Sequence, residues 1–144
     1  MPGELGVGRA RRCVPAGVLY LLLLLSLASL GVHSSTVLSK GVSRNGVVSA
    51  NATKFYKLQL SCPDTAAALL LTLTPLQGDP DLYLSSTVQQ PGPVTGADQS
   101  LVGNATQLVV QFPSAGMYYL GVFGNTSAAF KLQATVQLAT GAWI

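Results

Sequence analysis

Residues 130–138 alternate without a break. Phe130, Leu132, Ala134, Val136 and Leu138 share one face, and Lys131, Gln133, Thr135 and Gln137 share the other. A hydrophobic period of two can bury one face only as a strand, because a helix would spread the same side chains around its axis. The pattern recurs along the chain. Tyr56, Leu58 and Leu60 oppose Lys57 and Gln59, and Leu69, Leu71 and Leu73 oppose Thr72 and Thr74. Leu82 aligns with Leu84; Leu108, Val110 and Phe112 alternate with Gln107 and Gln111; Tyr118, Leu120 and Val122 form a further row.

Turn-forming residues punctuate these runs: Asn45-Gly46, Ser61-Cys62-Pro63-Asp64, Gly78-Asp79-Pro80, Gln90-Pro91-Gly92-Pro93, Pro113-Ser114-Ala115-Gly116 and Gly124-Asn125. Asn45-Gly46, flanked by Val42 and Val47-Val48, reads as a two-residue hairpin turn, since both central positions of such a turn need positive φ. Residues 86–103, rich in Gly, Pro and Gln, read as a long connection between strands. No helical period is sustained after residue 34. Short strands with one apolar face each predict two sheets packed face to face, a single all-β sandwich over residues 35–144.

The first 34 residues read differently. Arg9, Arg11 and Arg12 precede the apolar run 18–30, and small residues follow, with Ser29/Gly31 and Val32/Ser34 suited to a cleavage site. That order is a secretory signal peptide, expected over residues 1–34. The rival reading is an uncleaved signal anchor, because the apolar stretch counted from Val14 reaches about 19 residues, enough to span a bilayer. Both readings deliver the remainder outside the cytosol, and a membrane is a partner only under the second.

The formal charge of +3 belongs largely to this leader. Beyond it, Lys40, Arg44, Lys54, Lys57 and Lys131 stand against Asp64, Asp79, Asp81 and Asp98. Such a balance leaves no basic stripe for a phosphate backbone, so nucleic acid is not an expected partner. Cys13 lies in the leader, which leaves Cys62 without an intrachain partner, read as a small buried hydrophobe or as a reactive or intermolecular thiol. Three sequons, Asn51-Ala52-Thr53, Asn104-Ala105-Thr106 and Asn125-Thr126-Ser127, fall between the strands and make Asn51, Asn104 and Asn125 candidate N-glycosylation sites.

Catalytic chemistry finds few materials. The one histidine, His33, stands at the leader boundary, and the only glutamate is Glu4. A Ser-His-Asp triad, a zinc site and a phosphate-cradling loop all lack their residues, so no enzyme is expected. Tyr83, Tyr118, Tyr119, Phe123 and Trp143 would form a glycan or peptide platform if they shared an exposed face, and otherwise serve as packing. The stretch Gly78-Asp79-Pro80-Asp81 admits two readings. As a turn, Pro80 holds Asp79 extended, Gly78 permits a sharp approach, and Asp81 accepts a backbone hydrogen bond where the next strand begins. As a metal clamp, Asp79 and Asp81, joined by Asp98, supply hard oxygen ligands for calcium. The turn is the expected reading, with no cofactor required.

The ordered series Ser39-Lys40-Gly41, Phe55-Tyr56, the leucine-rich run 69–73, Gly78-Asp79-Pro80-Asp81-Leu82-Tyr83, Gly116-Met117-Tyr118-Tyr119-Leu120-Gly121-Val122 and Ala129-Phe130-Lys131-Leu132 resembles the pre-peptidase C-terminal domain family over about residues 38–136. The resemblance implies a jelly-roll-like antiparallel sandwich of the kind appended to secreted proteases, and collagen-binding relatives stabilised by calcium give the metal reading its weight. Such domains usually follow a catalytic domain, whereas here only a leader precedes the sandwich. The expected function is therefore a secreted, non-catalytic binding or accessory module for a matrix, glycan or protein partner. The alternative is an accessory segment of a secreted protease precursor whose catalytic part is not in this chain.

Overall fold

The computed structural model describes residues 34–61 and 66–144, and among them there is no helix. The signal peptide expected over residues 1–34 lies outside the described residues up to His33, and so does Cys62. Among the described residues nine strands run in order: β1 (Thr36–Val37), β2 (Arg44–Val48), β3 (Thr53–Leu60), β4 (Ala66–Gln77), β5 (Pro80–Ser85), β6 (Gln99–Leu101), β7 (Gln107–Gln111), β8 (Gly116–Gly124) and β9 (Ala128–Leu138). They form a five-stranded sheet, β1-β3-β8-β5-β6, and a four-stranded sheet, β2-β9-β4-β7. Every pairing is antiparallel except that of the two-residue β1 with β3, which is parallel. The architecture is a jelly-roll-like sandwich.

The alternating rows meet between the sheets. Tyr56, Leu58, Leu60, Leu82, Leu84, Tyr118, Leu120 and Val122 face inward from the five-stranded sheet. Leu69, Leu71, Leu73, Leu108, Phe130, Leu132, Ala134 and Val136 face them from the four-stranded sheet. Each row is the apolar face that the period of two assigns, so burial and register follow from one pattern.

Four details depart from the sequence reading. Asn45 and Gly46 do not turn the chain; they sit inside β2, paired with Lys131 and Phe130 of β9. The glycine serves packing instead. A Cβ there would stand 2.5 Å from Phe130 Cζ and 2.6 Å from Tyr56 Oη, so only glycine lets those rings close beneath the strand. The connection 86–103 contains β6, whose three residues are too few for alternation to register. β4 runs beyond its alternating segment through Pro75, which the ladder accommodates at a register shift. Phe112 leaves the core row. Its φ of 48° swings the ring outward, 80% exposed, at the point where β7 ends before Pro113.

Candidate functional site

Strand β5 is closed by a carboxylate at each end. At its start, Gly78 turns with φ of 75°, and a Cβ there would collide with the Ser127 carbonyl, so the connection β4–β5 lies directly against the β8–β9 turn. Asp79 N–H donates to Thr126 Oγ1 at 3.0 Å, and Asn125 N–H donates to the Asp79 carbonyl at 3.0 Å. Asp81, only 3% exposed, accepts from Gly103 N–H at 3.1 Å and from Asn125 Nδ2 at 2.7 Å. The same amide nitrogen donates to Asp79 Oδ2 at 3.2 Å.

Asp98 lies beyond the other end of β5. Its Oδ2 accepts from Ser86 N–H at 2.7 Å and from Ser86 Oγ at 3.0 Å, and its own N–H donates to the Leu84 carbonyl at 2.8 Å. The Ser86 backbone hydrogen bond holds the Asp98 carboxyl below the usual carboxylate range. Asp98 lies level with Ser85 in the ladder, so along the strand it stands about 13 Å from Asp81 and about 20 Å from Asp79 at the usual strand rise. The three candidate calcium ligands do not converge, and no group of three metal-ligating side chains occurs among the described residues. Asn125, moreover, turns its nitrogen toward both carboxylates, which occupies lone pairs a cation would need.

The aromatic candidates also separate. Tyr118 is buried and donates its hydroxyl to the Ser114 carbonyl at 3.1 Å, and Trp143 is bridged to Gln137 of the other sheet. Tyr119 and Phe123 alternate with the buried row of β8, so they lie on the outer face of the five-stranded sheet around Gly121. Phe55 and Tyr83 flank Gly121 from the neighbouring strands. This site is already occupied. A Cβ on Gly121 would collide with the Pro91 carbonyl, and Pro91 and Gly92 are buried, so the loop 86–98 folds down onto the sheet there.

That loop is tied at several points. Asp98 holds its base to Ser86, Ser85 Oγ accepts from Thr87 N–H at 3.1 Å and Val88 N–H at 2.9 Å, and Gly92 and Gly96 exchange backbone hydrogen bonds at 3.2 and 3.1 Å. Val94 stands at its tip, 95% exposed. Beside the loop's base a cleft of about 240 Å³ is lined by Leu84, Asp98, Val110, Phe112 and Tyr118. That is smaller than the roughly 300–1,000 Å³ of ordinary small-molecule pockets.

The three sequons differ in setting. Asn51 sits at the β2–β3 turn with φ of 58° and Asn104 at the turn before β7; both are exposed, and neither side-chain amide makes a hydrogen bond among the described residues. Asn125 is exposed too, but its amide is engaged by the two aspartates. Sequence reasoning missed that role, and it also missed the seating of Pro91. An isolated glycine within the aromatic row of β8 was the available signal for the second, since a glycine inside a strand marks close backbone approach.

No family model matches the chain, and no curated protein does either. Solved structures do. A pre-peptidase C-terminal domain of a collagenase from Bacillus anthracis superposes with a TM-score of 0.53 at 13% identity, covering 70% of this chain and 94% of that one. The chain has the fold of a pre-peptidase C-terminal domain. PliG from Aeromonas hydrophila, a periplasmic inhibitor of g-type lysozyme, superposes with the same TM-score of 0.53 at 15% identity, covering 72% of this chain and 100% of that one. At these identities the likeness is one of fold.

Proposed function

We propose that this chain is a secreted, non-catalytic module that binds a protein partner, and that loop 86–98 is its contact element. The observation that carries the reading is the loop's construction. It presents an almost fully exposed valine on a segment fixed by Asp98, by the Gly92–Gly96 pair and by the seat of Pro91 on Gly121. A loop fixed before binding loses little conformational entropy when it docks, and that preorganisation favours recognition. The arginine-led leader supports export, and a sandwich of this fold in Aeromonas is by name an inhibitor of another protein. The occupied aromatic face favours a protein over a small glycan.

A photo-cross-linking residue placed at position 94 tests the reading in the extracellular medium of the native host. The expected result is one discrete protein adduct from position 94 and none from the same group at exposed Thr74, on the other sheet. Equal adducts from both positions, or none from position 94, would overturn it. A second reading, an accessory segment of a secreted protease, draws support from the collagenase domain. A transcript joining this segment to a protease domain would favour it.

A further inference from the structure

We infer that strand β7 is a self-complementary edge through which two copies of this chain pair, antiparallel, about a two-fold axis at Val109. Sheet edges expose unpaired N–H and C=O groups, and proteins commonly blunt them with shortness, charge, proline or bulges. Among the described residues, three of the four sheet edges are blunted in these ways. β1 has two residues, β6 has three, and β2 carries Arg44. β7 is different. Gln107-Leu108-Val109-Val110-Gln111 contains neither charge nor proline, and its ladder with β4 runs without a register shift. Residues 99–130 as a whole hold no charged side chain that could repel a partner.

Two hydrogen bonds set which backbone groups of β7 are free. Thr106 accepts from Leu73 N–H at 2.9 Å, and Phe112 N–H donates to Ala67 at 2.9 Å, so the even-numbered residues turn their backbone groups toward β4. Gln107, Val109 and Gln111 therefore turn theirs outward, and among the described residues no strand pairs with that side. The sequence reads nearly the same in both directions about Val109. In an antiparallel pair centred there, Val109 meets Val109 of the second copy, Gln107 meets Gln111, and Leu108 meets Val110. All the outward residues then face outward residues, so each such pair exchanges reciprocal hydrogen bonds. Glutamine lies opposite glutamine on the solvent face, and the apolar residues continue the core row. The two four-stranded sheets become one continuous sheet across an isologous interface.

Asn104 stands just before the strand, so the test uses an Asn104→Gln background to remove any sugar from the edge. Sedimentation velocity is expected to show a concentration-dependent dimer. Val109→Lys places like charges at the axis and should raise the dissociation constant by at least about tenfold. Mixing the Val109→Lys and Val109→Asp chains should restore the dimer as a heterodimer. Amide exchange of the parent chain adds a readout independent of those variants, with Gln107, Val109 and Gln111 becoming protected as concentration rises. A chain that stays monomeric up to about 1 mM overturns the inference. So does a dimer that Val109→Lys leaves intact, a mixture that fails to pair, or protection that does not change with concentration.

Discussion

The two ends of β5 solve one problem with one chemistry and in two environments. Asp81 and Asp98 each accept a backbone N–H and a side-chain donor, and each ties a distant turn to the strand. Asp81 does so at 3% exposure, under the β8–β9 turn, whereas Asp98 does so at the exposed base of a loop. Water can replace the partners of Asp98, whereas the Asp81 carboxylate is itself shut away from water and depends on its two protein donors. Equal geometry therefore implies unequal stability, because the penalty for an unmade hydrogen bond is a penalty of burial.

The largest expected effect follows at the buried end. Asp81→Ala removes a buried carboxylate together with its two charge-assisted hydrogen bonds, and should destabilise by about 2–3 kcal/mol. For a domain of this size that lowers the melting temperature by roughly 10 °C or more. A melting curve within a degree or two of the parent would break the contrast.

The contrast itself was only half legible in the sequence. Alternation in Leu69–Leu71–Leu73 and in Phe130–Leu132–Ala134–Val136 set the strands and their buried faces, because a period of two carries both at once. Asp79 and Asp81 stood out as a pair beside Pro80. Their partner did not, since Asn125 lies 44 residues from Asp81 and reads locally as a sequon in a turn. The Asn45-Gly46 dipeptide misled for a related reason. Its conformation is decided by Phe130 and Tyr56, which reach it only through tertiary packing. Local chemistry was readable, and contacts between distant segments were not.

Asn125 sharpens the comparison next. Asn125→Asp sets a third carboxylate against Asp79 and Asp81 in place of a donor, with an expected loss of about 2 kcal/mol at neutral pH. Salt should recover part of it, and denaturant titration at two ionic strengths measures both. A glycan would take one hydrogen from the same amide, leaving it unable to serve both aspartates. Glycan occupancy is therefore expected at Asn51 and Asn104 ahead of Asn125, and Ser127→Ala should leave the glycopeptide mass profile unchanged.

Tyr56 supplies a third environment, burial without a partner. It is 1% exposed, its hydroxyl finds no hydrogen bond among the described residues, and its ring meets Phe130 edge-on at 6.3 Å. Burial pushes the phenol up to about 12. The neutral form is the one the fold favours, so its contribution is complete below the unfolded value near 10 and is lost as pH rises toward the folded one. Tyr56→Phe removes a desolvated hydroxyl and should stabilise by about 1 kcal/mol. It should also abolish the part of the alkaline instability that begins near pH 10. A destabilised variant would show that the hydroxyl has a partner in solution.

Asp98 should give the smallest change in stability and the clearest change in local order. Its carboxyl is held below the ordinary carboxylate range by Ser86, so the charged form is the one the fold favours. The contribution is present above the unfolded value near 3.9 and is lost as pH falls through the folded one. Exposure keeps that contribution small, and Asp98→Ala should alter global stability by no more than about 0.5 kcal/mol. The loop should respond far more. Ser86 N–H loses its acceptor, so its exchange with solvent should accelerate in Asp98→Ala while the amide of Leu120, in the buried row of β8, keeps the parent rate. Acidifying the parent below the folded value should reproduce that selective loosening. If Asp98→Ala instead unfolded the chain as Asp81→Ala does, burial would not be what separates the two ends of β5.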